Sequence, residues 1–288
     1  MMQISLTPAE SKKLIAKSLM ELDYLREALK SGIVLVHPSS TTYFLYQEIT
    51  GTPPKKNWVC GVIVQKGACI NKDILGELAV DTTKGVSKFP FWIFEKGKLL
   101  DESIPISELV EMMGEGDVYV KTGNAIDCNG NVGVLVGAPD GKGTVGKLYE
   151  ASKKKGFRVL IPIGLEKLIP SVEVASKTAN PAKVKYSTGM PLKLFPVKGH
   201  VVTEIEAVFL LTGAKATPIA SGGLSGAEGS ITLTVEGSDE QLELLKKIVL
   251  EIKGAELPEV YAPDCEECTW KTCSIYDFEN LSRCLNEG

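Results

Sequence analysis

Apolar runs broken by short polar or glycine-rich turns set the rhythm of the first two-thirds of this chain. "GIVLVHPSSTTYFLYQEITG" (32–51) puts an unbroken apolar stretch before a polar turn and a helix-period segment, which predicts strand, turn and helix. A second apolar run, "WVCGVIVQKGACI", follows the Pro53-Pro54 turn, and "FPFWIFEKGKLL" predicts two strands joined at Lys96-Gly97. "PISELVEMMG" reads as a short helix closed by Gly114, and "DVYVKTG" as a strand. "GTVGKLYEASKKKG" then reads as a helix and "FRVLIPIG" as a further buried strand. Strands alternating with helices through short turns predict an α/β domain with a mostly parallel sheet.

The pattern changes from about residue 185. "PLKLFPV" predicts a strand, "VVTEIEAVFLLTG" an amphipathic helix ending at Gly213, and "KATPIAS" and "SITLTVEG" two more strands. "SDEQLELLKKIVLEIKG" predicts a capped helix stopped by Gly254. The order βαββα suggests a small α+β layer with both helices on one face, completed by a strand near "EVYAP". We therefore divide the chain into an α/β domain (1–184), a small α+β domain (185–257) and a cysteine-rich tail (258–288).

The start of the chain, "MMQISLTPAESKKLIAKSLMELDYLREALKSG", does not read as a signal peptide. Its Leu14, Leu22, Leu25 and Leu29 form a helical stripe, and Thr7-Pro8-Ala9-Glu10 has the residues of a reciprocal N-terminal cap. No segment approaches the roughly 20 apolar residues of a bilayer span, so a soluble cytoplasmic protein is expected, without a membrane partner. A net charge of −4, from 32 basic and 36 acidic residues, argues against a nucleic-acid partner. Arginine occurs only at Arg26, Arg158 and Arg283, so any anion would be held by backbone N–H groups, hydroxyls and lysines rather than by bidentate forks.

Several segments carry candidate chemistry. Ser39, Ser40, Thr41 and Thr42 bring hydroxyls and free N–H groups to a helix N-terminus, where an anion is favoured; the same residues also make an ordinary N-cap. "VKTGNAIDCNGNVGVLVGAPDGKGTVG" (120–146) is glycine-rich, which allows close backbone approach to a ligand. Lys121, Asn124 and Asp127 would add charge and hydrogen bonds there, while Asn129-Gly130 makes a hairpin turn. His37 reads as a histidine satisfied at a strand end, with a catalytic role as the alternative, and His200 as structural or at a domain cleft. "ASGGLSGAEGS" (220–230) is either a flap over the site, with Glu228 as its contact, or a plain exposed loop.

Cys265, Cys268, Cys273 and Cys284 begin with a chelating C-x-x-C pair. The remaining spacings are compatible with zinc or an iron–sulfur cluster, with free thiols as the alternative and disulfides disfavoured in a reducing compartment. Cys60 and Cys69 read as core or turn residues, and Cys128 lies inside the suspected site.

The strand–turn–helix at "IVLVHPSSTTYFLYQEI" resembles the first phosphate-gripping element of the superfamily of ribose-phosphate isomerases, glucosamine-phosphate deaminases and CoA transferases. "DVYVKTGNAIDCNGNVGVLVGAPDGKGTVG" is similar to a strand and loop of its initiation-factor-2B and methylthioribose-phosphate isomerase branch. There Asn129-Gly130 match an N-G and Gly143-Thr144 a terminal G-T. The resemblance implies a Rossmann-like sheet with helices on both faces and a small ferredoxin-like lid domain. It also implies a small phosphorylated or carboxylated ligand, isomerase-type proton transfer and a homodimer.

On that reading Ser39 to Thr42, Lys121, Asn124, Gly143 and Thr144 bind substrate, and Asp127, Lys142 and Glu150 are catalytic. The chain departs from the branch at Asn124, which stands where the catalytic aspartate is expected; an amide is no general base, so Asp127 takes the role. The departure leaves open a non-catalytic, metabolite-sensing member. The cysteine tail leaves open a metal or redox accessory protein.

Overall fold

The structure is a computed structural model that describes all residues except 75–78, 82–84, 101–103, 139 and 266–288. In chain order it begins β1 (Met2–Leu6), α1 (Pro8–Leu19), α2 (Asp23–Ser31), β2 (Ile33–Val36) and α3 (Ser40–Thr50). Short strands follow: β3 (Gly61–Val64), β4 (Gly67–Ile70), β5 (Ala79–Asp81), β6 (Gly85–Lys88), β7 (Trp92–Glu95) and β8 (Lys98–Leu99). Then come α4 (Ile106–Met112), β9 (Val118–Val120), β10 (Ala125–Ile126), β11 (Val132–Val136), α5 (Gly143–Lys155) and β12 (Arg158–Pro162). The chain continues through α6 (Val172–Thr178), β13 (Lys193–Val197), β14 (His200–Val202) and α7 (Glu204–Thr212), and ends in β15 (Lys215–Ser221), β16 (Ile231–Glu236) and α8 (Asp239–Ile252).

The fold is mixed α/β with several sheets. The largest has strand order β14-β12-β9-β2-β7-β8. Its first four strands are parallel, and β7 and β8 continue it antiparallel. Strands buried on both faces need apolar residues at every position, which is why "IVLV" and "VYV" carry no polar alternation. Their side chains still divide by face. Val34, Val36, Val118, Val120 and Val202 pack with α1, α3 and α7, whereas Leu35, Ile93 and Tyr119 pack with α4 and α5.

A three-stranded antiparallel sheet, β1-β16-β15, shares the first of these cores with α7 and α8. A third sheet, β10-β11-β13, packs on α5 and α6. Thr7 and Glu10 form the reciprocal cap expected of α1, with Pro8 at its first position.

The βαββα expectation needs correction. "PLKLFPV" forms β13, but β13 pairs with β11 rather than with β15 or β16. Its place in the small sheet is taken by β1, which runs beside β16 from Met2↔Val235 to Leu6↔Ile231. Residues 259–263, suggested as a completing strand, are not in a strand. Pairing crosses residue 184 in both directions, since β1 joins β16 while β13 and β14 join β11 and β12.

Candidate functional site

The serine–threonine turn sits at the carboxyl end of β2, and its polar groups mostly cap α3. Ser39 Oγ accepts from Thr42 N at 3.3 Å and lies 2.9 Å from Thr42 Oγ1, which donates to His37 O at 2.7 Å. Thr41 Oγ1 is enclosed without a hydrogen-bond partner, and Ser40 is half-buried. At the start of α5, Asp140 Oδ1 accepts from Lys142 N at 2.9 Å and Gly143 N at 2.8 Å, filling that helix terminus. Lys142 and Glu150 meet at 2.6 Å with both side chains about half exposed, and Thr144 is half-buried.

The helices that the two turns open lie on opposite faces of the large sheet: Tyr43, Phe44 and Leu45 of α3 pack on one face, while Leu148 and Ala151 of α5 pack on the other.

Asp127 and Asn124 hold the β10–β11 hairpin and what docks on it. Asp127 Oδ1 accepts from Asn129 N and Asn131 N, each at 3.0 Å, and Oδ2 accepts from Val172 N at 3.0 Å at the start of α6. Asn131 Nδ2 donates to both oxygens at 3.1 Å. These donors, Val172 N–H foremost, hold the buried carboxyl below its usual range, a setting that keeps it ionised and weakly basic. Exposed Asn124 accepts from Leu135 N through Oδ1 at 3.0 Å.

A different set of groups meets at the carboxyl ends of the parallel strands. His37 follows β2, Lys121 follows β9, Glu166 and Lys167 follow β12, and Glu204 opens α7 just beyond β14. From above, α1 adds Lys12 and Ser11. Lys12 Nζ pairs with Glu166 Oε1 at 2.7 Å, and Glu166 Oε2 has no hydrogen-bond partner among the described residues.

Glu204 accepts from Leu165 N through both oxygens, at 3.2 and 3.0 Å, and hydrogen-bonds Ser11. Burial, and then the neighbouring Glu166, push its carboxyl up to about 7. Lys167 Nζ donates to Gly123 O at 3.0 Å. Desolvation brings Lys121 down to about 8, helped by Lys167, and brings Lys167 down to about 8, with Glu166 opposing and Lys12 assisting. Both lysines keep partial accessibility while their ammonium groups are strongly desolvated, which places them in a recess.

Apart from the Lys167 cation, the described neighbours that act on Lys121 or feel it are His37 and Cys60, both neutral. His37 is pressed far below its ordinary value by burial and then by Lys121, and its Nδ1 lies 3.1 Å from Tyr119 Oη. Burial raises the Cys60 thiol to about 11 despite the lysine beside it. The returning end of the glycine-rich loop 222–230 closes on the recess: a Cβ on Gly229 would lie 3.3 Å from Pro8 Cγ and 3.5 Å from Glu166 Cβ. Its tip is outermost, with Leu224 82% exposed, and Glu228 accepts from Gly226 N within the loop rather than reaching the site.

Gly123 sets the spacing of this edge. A Cβ there would meet Val132 Cγ1 at 2.4 Å and Ile163 Cδ1 at 2.6 Å, both in packed strand and core positions. Gly123→Ala is expected to lower stability by about 1–3 kcal/mol through overpacking, measured by denaturant unfolding. A loss under about 0.5 kcal/mol would mean that the edge relaxes freely.

Of the residues assigned a binding or catalytic role from the sequence, Lys121 alone belongs to this cluster, with His37 beside it. Lys12 lies on α1, and Glu204 is the first residue of α7, directly after its N-cap Thr203. Their common signal was position, each lying near the carboxyl end of a parallel strand or on the helix above it, and this required the strand order. For the cysteine tail, Cys265 is half-buried with a free thiol, while Cys268, Cys273 and Cys284 lie outside the described residues. No cluster of three metal-ligating side chains occurs among the described residues, and none of the described helices is long and apolar enough to cross a membrane. Comparison with protein-family models, curated proteins and solved structures gives no match.

Proposed function

We propose that this protein binds a small phosphorylated or carboxylated metabolite at the carboxyl edge of its parallel strands and performs isomerase-type proton transfer on it. The observation that carries this reading is the charge balance of the recess. Among the described residues, Lys12, Lys121 and Lys167 face Glu166 and Glu204, so the site keeps a positive excess with both carboxylates ionised. Desolvated cations that lack full compensation favour an anionic guest, and open α/β sheets bind ligands at this edge.

Glu204, poised near 7, is the acid–base group; it replaces Asp127, which its donors hold ionised and weakly basic. Glu166 would accept a hydroxyl of the guest. Within the same proposal the four parallel strands form a Rossmann-like core, the small sheet acts as its lid, and a cytoplasmic homodimer is the working assembly. The cysteine tail as a zinc or iron–sulfur site is a separate proposal, read directly by metal analysis.

The test is thermal unfolding with inorganic phosphate and a panel of phosphorylated and carboxylated metabolites, with chloride as the ionic-strength control. A bound anion at about a hundred times its Kd should stabilise the fold by about 2.7 kcal/mol. The gain should be full at pH 7 and shrink by pH 9, because Lys121 and Lys167 lose their protons above about 8. No anion-specific stabilisation at pH 7 would refute the proposal. Stabilisation without turnover of any panel member would leave the binding half and identify a sensing protein.

A further inference from the structure

We propose that Lys121 is a covalent, imine-forming residue, and that the guest of the recess is an anion bearing an aldehyde or ketone group, such as a 2-oxo acid or a phosphorylated carbonyl compound. This rests on the anion-binding reading above and adds the chemistry of the guest.

The three lysines of the recess are not equivalent. Lys12 is engaged by Glu166 at 2.7 Å, and Lys167 Nζ is fixed on Gly123 O at 3.0 Å. For Lys121 Nζ there is no hydrogen-bond or ion-pair partner among the described residues. Its position is fixed all the same, because the backbone N–H of Lys121 donates to Leu160 O at 3.0 Å and β9 lies centrally in the sheet. An amine held at the end of a central strand with no acceptor is placed to attack, not to brace.

Its surroundings also favour the neutral amine, the only form that adds to a carbonyl. Burial acts first and the adjacent Lys167 cation second, the combination that makes lysines nucleophilic in Schiff-base enzymes. Competing nucleophiles are silenced. Cys60 stays a thiol, and His37 Nδ1 is engaged with Tyr119 Oη.

The step balances without a redox partner. The Lys121 Nζ lone pair forms an N–C bond to the carbonyl carbon, and the carbonyl oxygen takes up a proton. The resulting carbinolamine then loses that oxygen as water while the C=N bond forms. Lys12 and Lys167 hold the carboxylate or phosphate of the same molecule. Glu204, protonated in part near neutral pH, supplies the proton that lets the hydroxyl leave and recovers one as the amine proton departs.

The experiment is reductive trapping of the full chain. The protein is incubated separately with pyruvate, glyoxylate and dihydroxyacetone phosphate, treated with sodium borohydride, and analysed by intact mass and peptide mapping. A single adduct per chain on Lys121, suppressed by excess inorganic phosphate and absent from a folded Lys121→Arg variant, is the expected result. The mapping in the wild type locates the adduct whether or not that variant folds. Phosphate stabilisation with no Lys121 adduct from any of the three probes, or labelling spread over surface lysines, overturns the imine proposal and leaves anion binding intact. Absence of both stabilisation and adduct overturns the two together.

Discussion

Lys121→Met makes the protein more stable at pH 7, by about 2–3 kcal/mol, while weakening its response to phosphate by removing one of the three cations of the recess. The gain follows from holding an ammonium in a desolvated recess beside the Lys167 cation, which lowers its pKa from 10.5 to about 8. Methionine fills a similar volume without charge. In thermal terms the gain is a rise in Tm of roughly 5 °C or more.

The pH dependence has a definite sign. Below pH 8 both folded and unfolded wild type carry the proton, and the variant's advantage is full. From about 8 to 10.5 the unfolded chain still binds the proton while the folded one does not, so wild-type stability climbs and the advantage fades. Tyr24 (raised to about 12) and Tyr119 titrate alike in both proteins, whereas Cys60 loses the lysine that lowers it and moves further up, away from the window in which Lys121 titrates. Lys167→Met should behave in the same way. Combining the two should gain less than the sum, because each substitution already relieves the repulsion between the two cations. Equal or lower stability of Lys121→Met at pH 7, with unchanged cooperativity, would mean that the lysine is compensated and the recess has no positive excess.

The strands and helices were legible because each follows a local pattern. "IVLV" has nowhere to sit but inside a sheet, and Thr7-Pro8-Ala9-Glu10 caps a helix in any context. What was not local was lost. The N-terminal "MQISL" carries the alternation of an antiparallel strand, but its partner lies 225 or more residues away at Ile231–Glu236, and no spacing rule links the two. That distant pairing takes the place in the small sheet which local order had assigned to "PLKLFPV".

The site suffered the same limit. Ser39 to Thr42 and the glycine-rich run have the composition of ligand loops. Their polar groups instead close helix ends and a hairpin, and the helices they open, α3 and α5, pack on opposite faces of one sheet. Lys12, Glu166, Lys167 and Glu204 are each unremarkable in sequence. They come together only because four strands run parallel side by side, so that every carboxyl end arrives at one edge.

Asp127→Asn separates the two acid–base assignments. Asparagine keeps the shape of the side chain and one acceptor oxygen for Asn129 N and Asn131 N, but it turns an NH2 group toward Val172 N at the start of α6, where the native oxygen accepts at 3.0 Å. A donor facing a donor leaves the buried Val172 N–H unsatisfied, and the charge that strengthened all of these bonds is gone. The expected loss is about 2–3 kcal/mol in denaturant unfolding, with Asp127→Ala at the upper end or beyond. Because the carboxyl is held below its ordinary 3.8, the contribution is present above that value and disappears as pH falls through the folded pKa, so wild type and variant should converge in acid. Phosphate stabilisation and Lys121 trapping should both persist in the folded variant, since Asp127 faces the hairpin and α6. Glu204→Gln should instead keep phosphate binding while suppressing imine formation and turnover, since an amide cannot pass the proton. Should Asp127→Asn retain wild-type stability but lose turnover, the acid–base role belongs to the hairpin, and the chemistry has to be sought beside Asn131 rather than in the lysine recess.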